Sequence, residues 1–326
     1  MQLNNLKIPK ETLITLSKKE VIKKEAPISD ADGIQSIIDM HNLFANIFTT
    51  MTDIETIMAL QPHVKTEPDA VAMLLGVEAL GVNTLATTLE RGFLLLRNFF
   101  LRLKDAVFSF FKYLFDKNSR LRRNLSSEMM KFNKRSTPYE TTNLPVVSLI
   151  PNAGFVSTVG ILERLYEQAE AVSKSGKKES ILENSLALQA FGYEIVEYRV
   201  VNVNAVAEFP KKDKPLESKE VDWGWSLATL IKSSNDVLKL SSKAEKLNYI
   251  KDKLDNSIKA ATRSIDAINV IGNSEKAIKL QTELNEAALI CGFLFNCSVV
   301  FQNKVDFLAK QLTECWFTLN NVGANS

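Results

Sequence analysis

The stretch RGFLLLRNFFLRLKDAVFSFFKYLFDKNSRLRR, from Arg91 to Arg123, restricts what this chain can fold into more than any other segment. It contains no proline, and its one glycine stands near its start, at Gly92. Placed on a helix at about 100° per residue, Arg91, Asn98, Arg102, Lys104, Asp105, Ser109, Lys112 and Asp116 fall within one arc of about 160°. Leu95, Leu96, Phe99, Phe100, Leu103, Ala106, Val107, Phe110, Phe111, Tyr113 and Leu114 occupy another arc that holds no charge. Each large apolar side chain gains roughly 1.5–3 kcal/mol on burial, so the spacing predicts a core helix around which the rest of the chain must pack. Leu94, Leu101, Phe108 and Phe115 break the charged arc at intervals of seven. Such spacing predicts a second, narrow apolar stripe that meets another helix or subunit. Internal cover by a helix over Asp30 to Gln61 is the competing expectation.

A chain of 326 residues, 45% of them apolar, can bury a sizeable core and suggests about two domains. Forty basic residues against thirty-eight acidic ones leave a formal charge of +2, too little for a strong field over the whole molecule. Contact with nucleic acid would have to be local. The basic run after the Phe-rich segment supplies candidates for phosphate contact in Arg120, Arg122, Arg123, Lys131, Lys134 and Arg135. A short cationic run also serves as a plain solvated face. Cys291, Cys297 and Cys315 form no CxxC pair, which suits a reduced compartment. MQLNNLKIPKETL lacks the apolar run of a signal peptide, and the uncharged run inside the last long helix, Ala287 to Asn303, has 17 residues against the roughly 20 of a membrane helix. The expectation is a soluble chain with no classical export signal.

Punctuation along the sequence predicts four regions: an arm over 1–28, a helical domain over 29–135, a proline-containing linker over 136–152 and a second helical domain over 153–326. The linker reads STPYETTNLPVVSLIPN, whose three prolines push the residues before them toward extended geometry. In the first domain, capping residues in SDAD open a helix of about thirty residues that stops at Pro62. Its apolar positions include Ile34, Ile37, Ile38, Phe44, Ile47, Met51 and Ile54. A shorter helix is expected after Pro68. In the second domain, helices are expected over Phe155–Lys174 and Lys177–Ala190, with Gly176 ending the first. YEIVEYRVVNVNAVAEF, Tyr193 to Phe209, is the one strand or hairpin candidate, a buried helix being the alternative. Further helices follow, the last from Ser274 to Leu319 and roughly 70 Å long if unbroken. The fold class is therefore mainly α: a multi-helix bundle with long helices and one short β element near 193–209.

Residues that carry chemistry are sparse. Only His41 and His63 offer imidazoles, and neither has a ligand-type partner at i+3 or i+4. GxGxxG, GxxxxGK and GxSxG are all missing. Cys291 and Cys297 lie six apart, about 240° around a helix, and cannot clasp one metal from one face. No catalytic, metal-ligating or cofactor-binding residues are assigned, no cofactor is expected, and the protein reads as non-enzymatic.

The helical first half ending in ATTLERGFLLLRNFFLRLKDAVFSFFKYLF, the basic helix NSRLRRNLSSEMMKFNKR and a looser helical second half together resemble the internal-head (inner-capsid) structural proteins of large tailed bacteriophages. The distinctive part is Thr88 to Arg135. The resemblance implies a structural role inside the virion, assembly in the host cytoplasm, partners among capsid or core subunits or further copies of the chain, and non-specific contact with packaged DNA. It brings no catalytic residues. A helical membrane-perturbing protein and a cytoplasmic scaffold or adaptor are the competing classes. Membrane contact is disfavoured because five charges lie between Arg97 and Lys112, and their desolvation in lipid is costly.

Overall fold

Long proline-free segments with helical spacing become long helices. A computed structural model describes residues 30–60, 82–134, 153–202, 223–246, 248–266 and 274–322. Among them are α1 (Asp30–Leu60), α2 (Val82–Asn133), α3 (Ala153–Ser175), α4 (Glu179–Glu183) and α5 (Leu186–Ala190), then β1 (Tyr193–Val196) and β2 (Arg199–Asn202). α6 (Trp223–Lys246), α7 (Asn248–Asp266) and α8 (Ser274–Val322) complete the order. The fold is a mainly α multi-helix bundle with one small hairpin. The Phe-rich segment and the basic run after it form one unbroken helix of 52 residues, roughly 78 Å long.

α2 is flanked on both sides and backed by α8. α1 runs antiparallel to it: Gly33, near the start of α1, abuts the Tyr113 ring, while Ile54 reaches Gly92. A Cβ on Gly33 would overlap that ring, and one on Gly92 would lie 2.9 Å from Ile54 Cγ1, so both glycines are set by close approach. α7 lies along the other flank, also antiparallel, with Asp266 on Arg97 and Lys251 over Phe108. α8 runs parallel to α2 behind this layer. Phe295 meets Phe44 and Phe110 at centroid separations of 5.7 and 5.1 Å, and Asn118 Nδ2 donates to Gln302 Oε1 at 2.7 Å. α3 and α6 cover the remaining side of α8, through Tyr166 against Phe301 and Trp316 Nε1 donating to Ser234 Oγ. One hydrophobic cluster extends from Met40 to Leu319, drawing on segments from both sides of the 136–152 division.

Several local expectations need correction. The helix expected over Lys177–Ala190 is two short helices, because Asn184 and Ser185 turn their side chains back onto the Ser180 and Leu182 carbonyls and compete with the helical ladder. Gly176 does end α3, at φ 65°. The strand candidate is a hairpin over Tyr193–Asn202, closed by Glu197 and Tyr198, both at positive φ as a type I′ turn requires. Leu95, expected on the buried face of α2, is 51% exposed. It sits about 60° around the helix from Gly92, beyond the line of contact with α1. Ile34 and Ile38 of α1 are likewise exposed, at the rim of a cleft described below. The arm, the segment after Pro68, the linker and residues 203–209 lie outside the described residues.

Candidate protein-interaction surface on α2

The inner side of α2 is closed. Phe93, Leu96, Phe100, Leu103, Val107, Phe110, Phe111 and Leu114 are each at most 2% exposed. A helix held so firmly from behind presents its outer side as a rigid ridge. There Leu94, Leu101 and Phe108 are 51%, 38% and 58% exposed, in line with one another. α1, the internal cover considered from sequence, packs on the flank of α2 and leaves these three open. Phe115 differs: it is half-buried, its ring 6.2 Å from that of Phe111, and belongs to the margin of the core. Lys251 Nζ stands 5.3 Å from the Phe108 centroid, a cation over the ring face that leaves most of the ring in solvent. Beside it, Lys104, Asp105, Ser109 and Asp255 help to line a shallow recess of about 420 Å³.

The basic residues do not form one patch. Arg120, Arg123 and Lys131 of α2, with Lys134 in the turn just past its end, fall within about 80°, while Arg122 points well away from them. Lys131 is engaged with Glu128 at 2.5 Å, and Arg120 lines a cleft instead of facing open solvent. Arg135 lies outside the described residues.

That cleft, of about 710 Å³, opens between the start of α1, the second half of α2 and the second half of α8. Ile34, Ile37, Ile38, Tyr113 and Leu121 give it an apolar wall. Asp306 stands between Lys117 and Lys310, 3.4 and 2.9 Å away, so the charges on its floor largely compensate one another. The sequence signal for it was faint: two isoleucines that fit a core period yet stand in the first turns of their helix.

No group of three or more His, Cys, Asp or Glu residues able to hold a metal occurs among the described residues. His41 sets its ring edge-on to Phe295 at 5.0 Å, and desolvation there lowers its pKa below the ordinary histidine value. All three thiols are free. Burial pushes Cys291 and Cys315 up to about 12, and raises Cys297 as well, so none of them is a thiolate at neutral pH. Residues Glu275–Asn321 within α8 are long and apolar enough to cross a membrane by length and composition, but 78% of the most apolar window is buried against the other helices.

No protein family, curated protein or solved structure matches this chain.

Proposed function

We propose that this chain is a non-enzymatic structural protein that associates with other protein subunits through the outer ridge of α2, as the resemblance to internal-head proteins of tailed bacteriophages implies. The observation that carries the reading is the exposure of Leu94, Leu101 and Phe108 on a helix whose opposite side is fully buried. Contiguous apolar exposure on a rigid element is usually an interaction site. Within that reading the protein is packed inside the particle, assembled in the host cytoplasm, and the exposed basic residues at the end of α2 make at most non-specific contact with packaged DNA.

The double variant Leu101→Ser/Phe108→Ser tests it. We expect unchanged thermal stability within about 1 kcal/mol, since both side chains are largely in solvent already, together with reduced association by sedimentation. A large drop in stability with unchanged association would refute the reading. Loss of flotation with phosphatidylglycerol vesicles at unchanged association would move the protein to the membrane-perturbing class. Mass spectrometry of purified particles from the source checks the virion assignment directly: absence from the particle refutes that part alone.

A further inference from the structure

The charges beside the ridge carry information about what covers it. Viewed along α2, the stripe has one row of residues about 50° to one side and a second row about 50° to the other. The first row, on the α7 side, reads Glu90, Arg97, Lys104. The second, on the α1 side, reads Asn98 between Arg91 and Asp105. Arg97 is already paired with Asp266, but Glu90, Arg91, Lys104 and Asp105 are exposed and make no ion pair among the described residues. At two levels of the helix, therefore, a charge of one sign stands on one side of the stripe and its opposite stands on the other.

Two identical helices facing each other about a two-fold axis have only two ways to use this. If they run antiparallel, the same row of both helices lies on the same side of the seam. With Leu101 set on Phe108 of the partner subunit, Lys104 then approaches its own symmetry mate, and so does Asp105. Sliding by one heptad sets Arg97 near the partner's Lys104. Both arrangements juxtapose like charges, which is destabilising in any helix seam. A slide of one further heptad, with Leu94 on Leu101 of the partner subunit, brings Glu90 to the partner's Lys104 and Arg91 to the partner's Asp105, but it leaves Phe108 uncovered and sets Arg97 on its own symmetry mate. If they run parallel, the rows cross over. Leu94, Leu101 and Phe108 each meet their symmetry mates, Glu90 meets the partner's Arg91, Lys104 meets the partner's Asp105, and the reciprocal contacts repeat both pairs. Arg97 meets the partner's Asn98, which is neutral. Charge rows flanking an apolar seam select orientation in this way in coiled coils.

We propose that the ridge of α2 binds the ridge of a second copy of this chain, the two helices running parallel about a two-fold axis, with Lys104 and Asp105 of each copy paired with Asp105 and Lys104 of the other. The inference rests on the ridge being an association surface and names its occupant. From Leu94 to Phe108 the apolar contact runs 14 residues, roughly 21 Å, so this is a short seam whose orientation depends on its charges.

Sedimentation equilibrium of the full chain tests it. The expected result is a reversible dimer that Lys104→Asp or Asp105→Lys weakens roughly tenfold, since each replaces two attractive pairs by two repulsive ones. The combined Lys104→Asp/Asp105→Lys variant restores the pairing, because the rows have simply exchanged sign. On mild oxidation, Leu101→Cys and Phe108→Cys, each introduced alone, form a disulfide-linked dimer well ahead of Val156→Cys, an exposed position on α3. Rapid cross-linking that requires Leu101→Cys and Phe108→Cys together would mean antiparallel helices and overturn the proposal, as would a combined charge variant no better than the single ones. A chain that stays monomeric while Leu101→Ser/Phe108→Ser abolishes its binding to a different subunit overturns self-pairing and leaves the association reading intact. A dimer that persists unchanged in that same variant overturns both.

Discussion

At the scale of single residues, the three cysteines show how burial dominates chemical behaviour, with the Glu314 carboxylate adding to it at Cys315. Each sits in α8, and desolvation holds each thiol in its neutral form well past its ordinary range. The unfolded chain has no such environment, so above the ordinary thiol value of 9.0 it releases protons that the folded chain keeps. A raised folded pKa stabilises fully below the unfolded value and loses that contribution as pH rises through the window from about 9 toward 12. The partly buried tyrosines Tyr166 and Tyr193 are shifted in the same direction and steepen the loss. We expect the melting temperature to fall progressively above about pH 9, with a shallower fall in a Cys291→Ala/Cys297→Ala variant measured against its own value at neutral pH. Equal slopes would mean the thiols are not shielded. Sequence spacing had already set Cys291 and Cys297 apart from shared metal binding, since they lie six positions, about 240°, apart on a helix. That all three lie under other helices could not be read from their neighbours in the chain.

At the scale of elements, the hairpin is the place where local preference and tertiary structure disagree. Its strands are rich in β-branched and aromatic residues, and the segment was recognisable for that reason. Its turn was not. A two-residue type I′ turn wants Asn-Gly, because both central residues need positive φ, yet Glu197 and Tyr198 occupy those positions at 50° and 64°. Tyr198 is held there by contact with the core and by Lys178, whose Nζ stands 5.4 Å from the ring centroid. Arg199, next to it, lies 4.4 Å over the ring of Phe48 in α1 and ties the hairpin to the bundle. Glu197 is exposed and makes no such contact. We therefore expect Glu197→Asn to stabilise the protein by about 0.5 kcal/mol through relief of the turn, read as a rise in melting temperature. A fall would mean that Glu197 holds the turn through a contact of its own. α2 shows the opposite case, in which local pattern and final structure agree from Arg91 to Asp116 apart from the displaced edge at Leu95 and the half-buried Phe115.

At the scale of the whole molecule, the two helical segments separated by residues 136–152 share a single buried core. Phe111 of α2 and Leu165 of α3 belong to one continuous cluster, and a line of buried polar contacts stitches the segments together. Asn118 accepts from Ser241 Oγ at 3.3 Å while donating to Gln302, and Asn320 Nδ2 donates to Glu128 Oε2 at 2.9 Å. Buried amides of this kind disfavour sliding of one long helix along another, since every other register leaves them unpaired. Unfolding should then be one cooperative event. We expect Phe111→Asp and Leu165→Asp each to cost roughly 3–5 kcal/mol by leaving a charge buried without a partner, and each to lower the same single calorimetric transition. Two transitions, with each variant moving only one, would show that the segments fold independently.

Periodicity was enough to mark the long helices and the face of α2 that carries the apolar load, because a period of 3.6 residues over so many residues admits no other regular structure that buries those side chains. It also marked the heptad-spaced stripe of Leu94, Leu101, Phe108 and Phe115. Long-range packing alone places α1 and α7 on the flanks of α2 and α8 parallel behind it, and leaves three residues of the stripe in solvent while the fourth joins the core margin. Periodicity states that a face needs cover, but choosing which of several similar helices supplies it depends on close approaches such as Gly33 against Tyr113 and on buried pairs such as Asn118 with Gln302, whose members lie far apart in the chain.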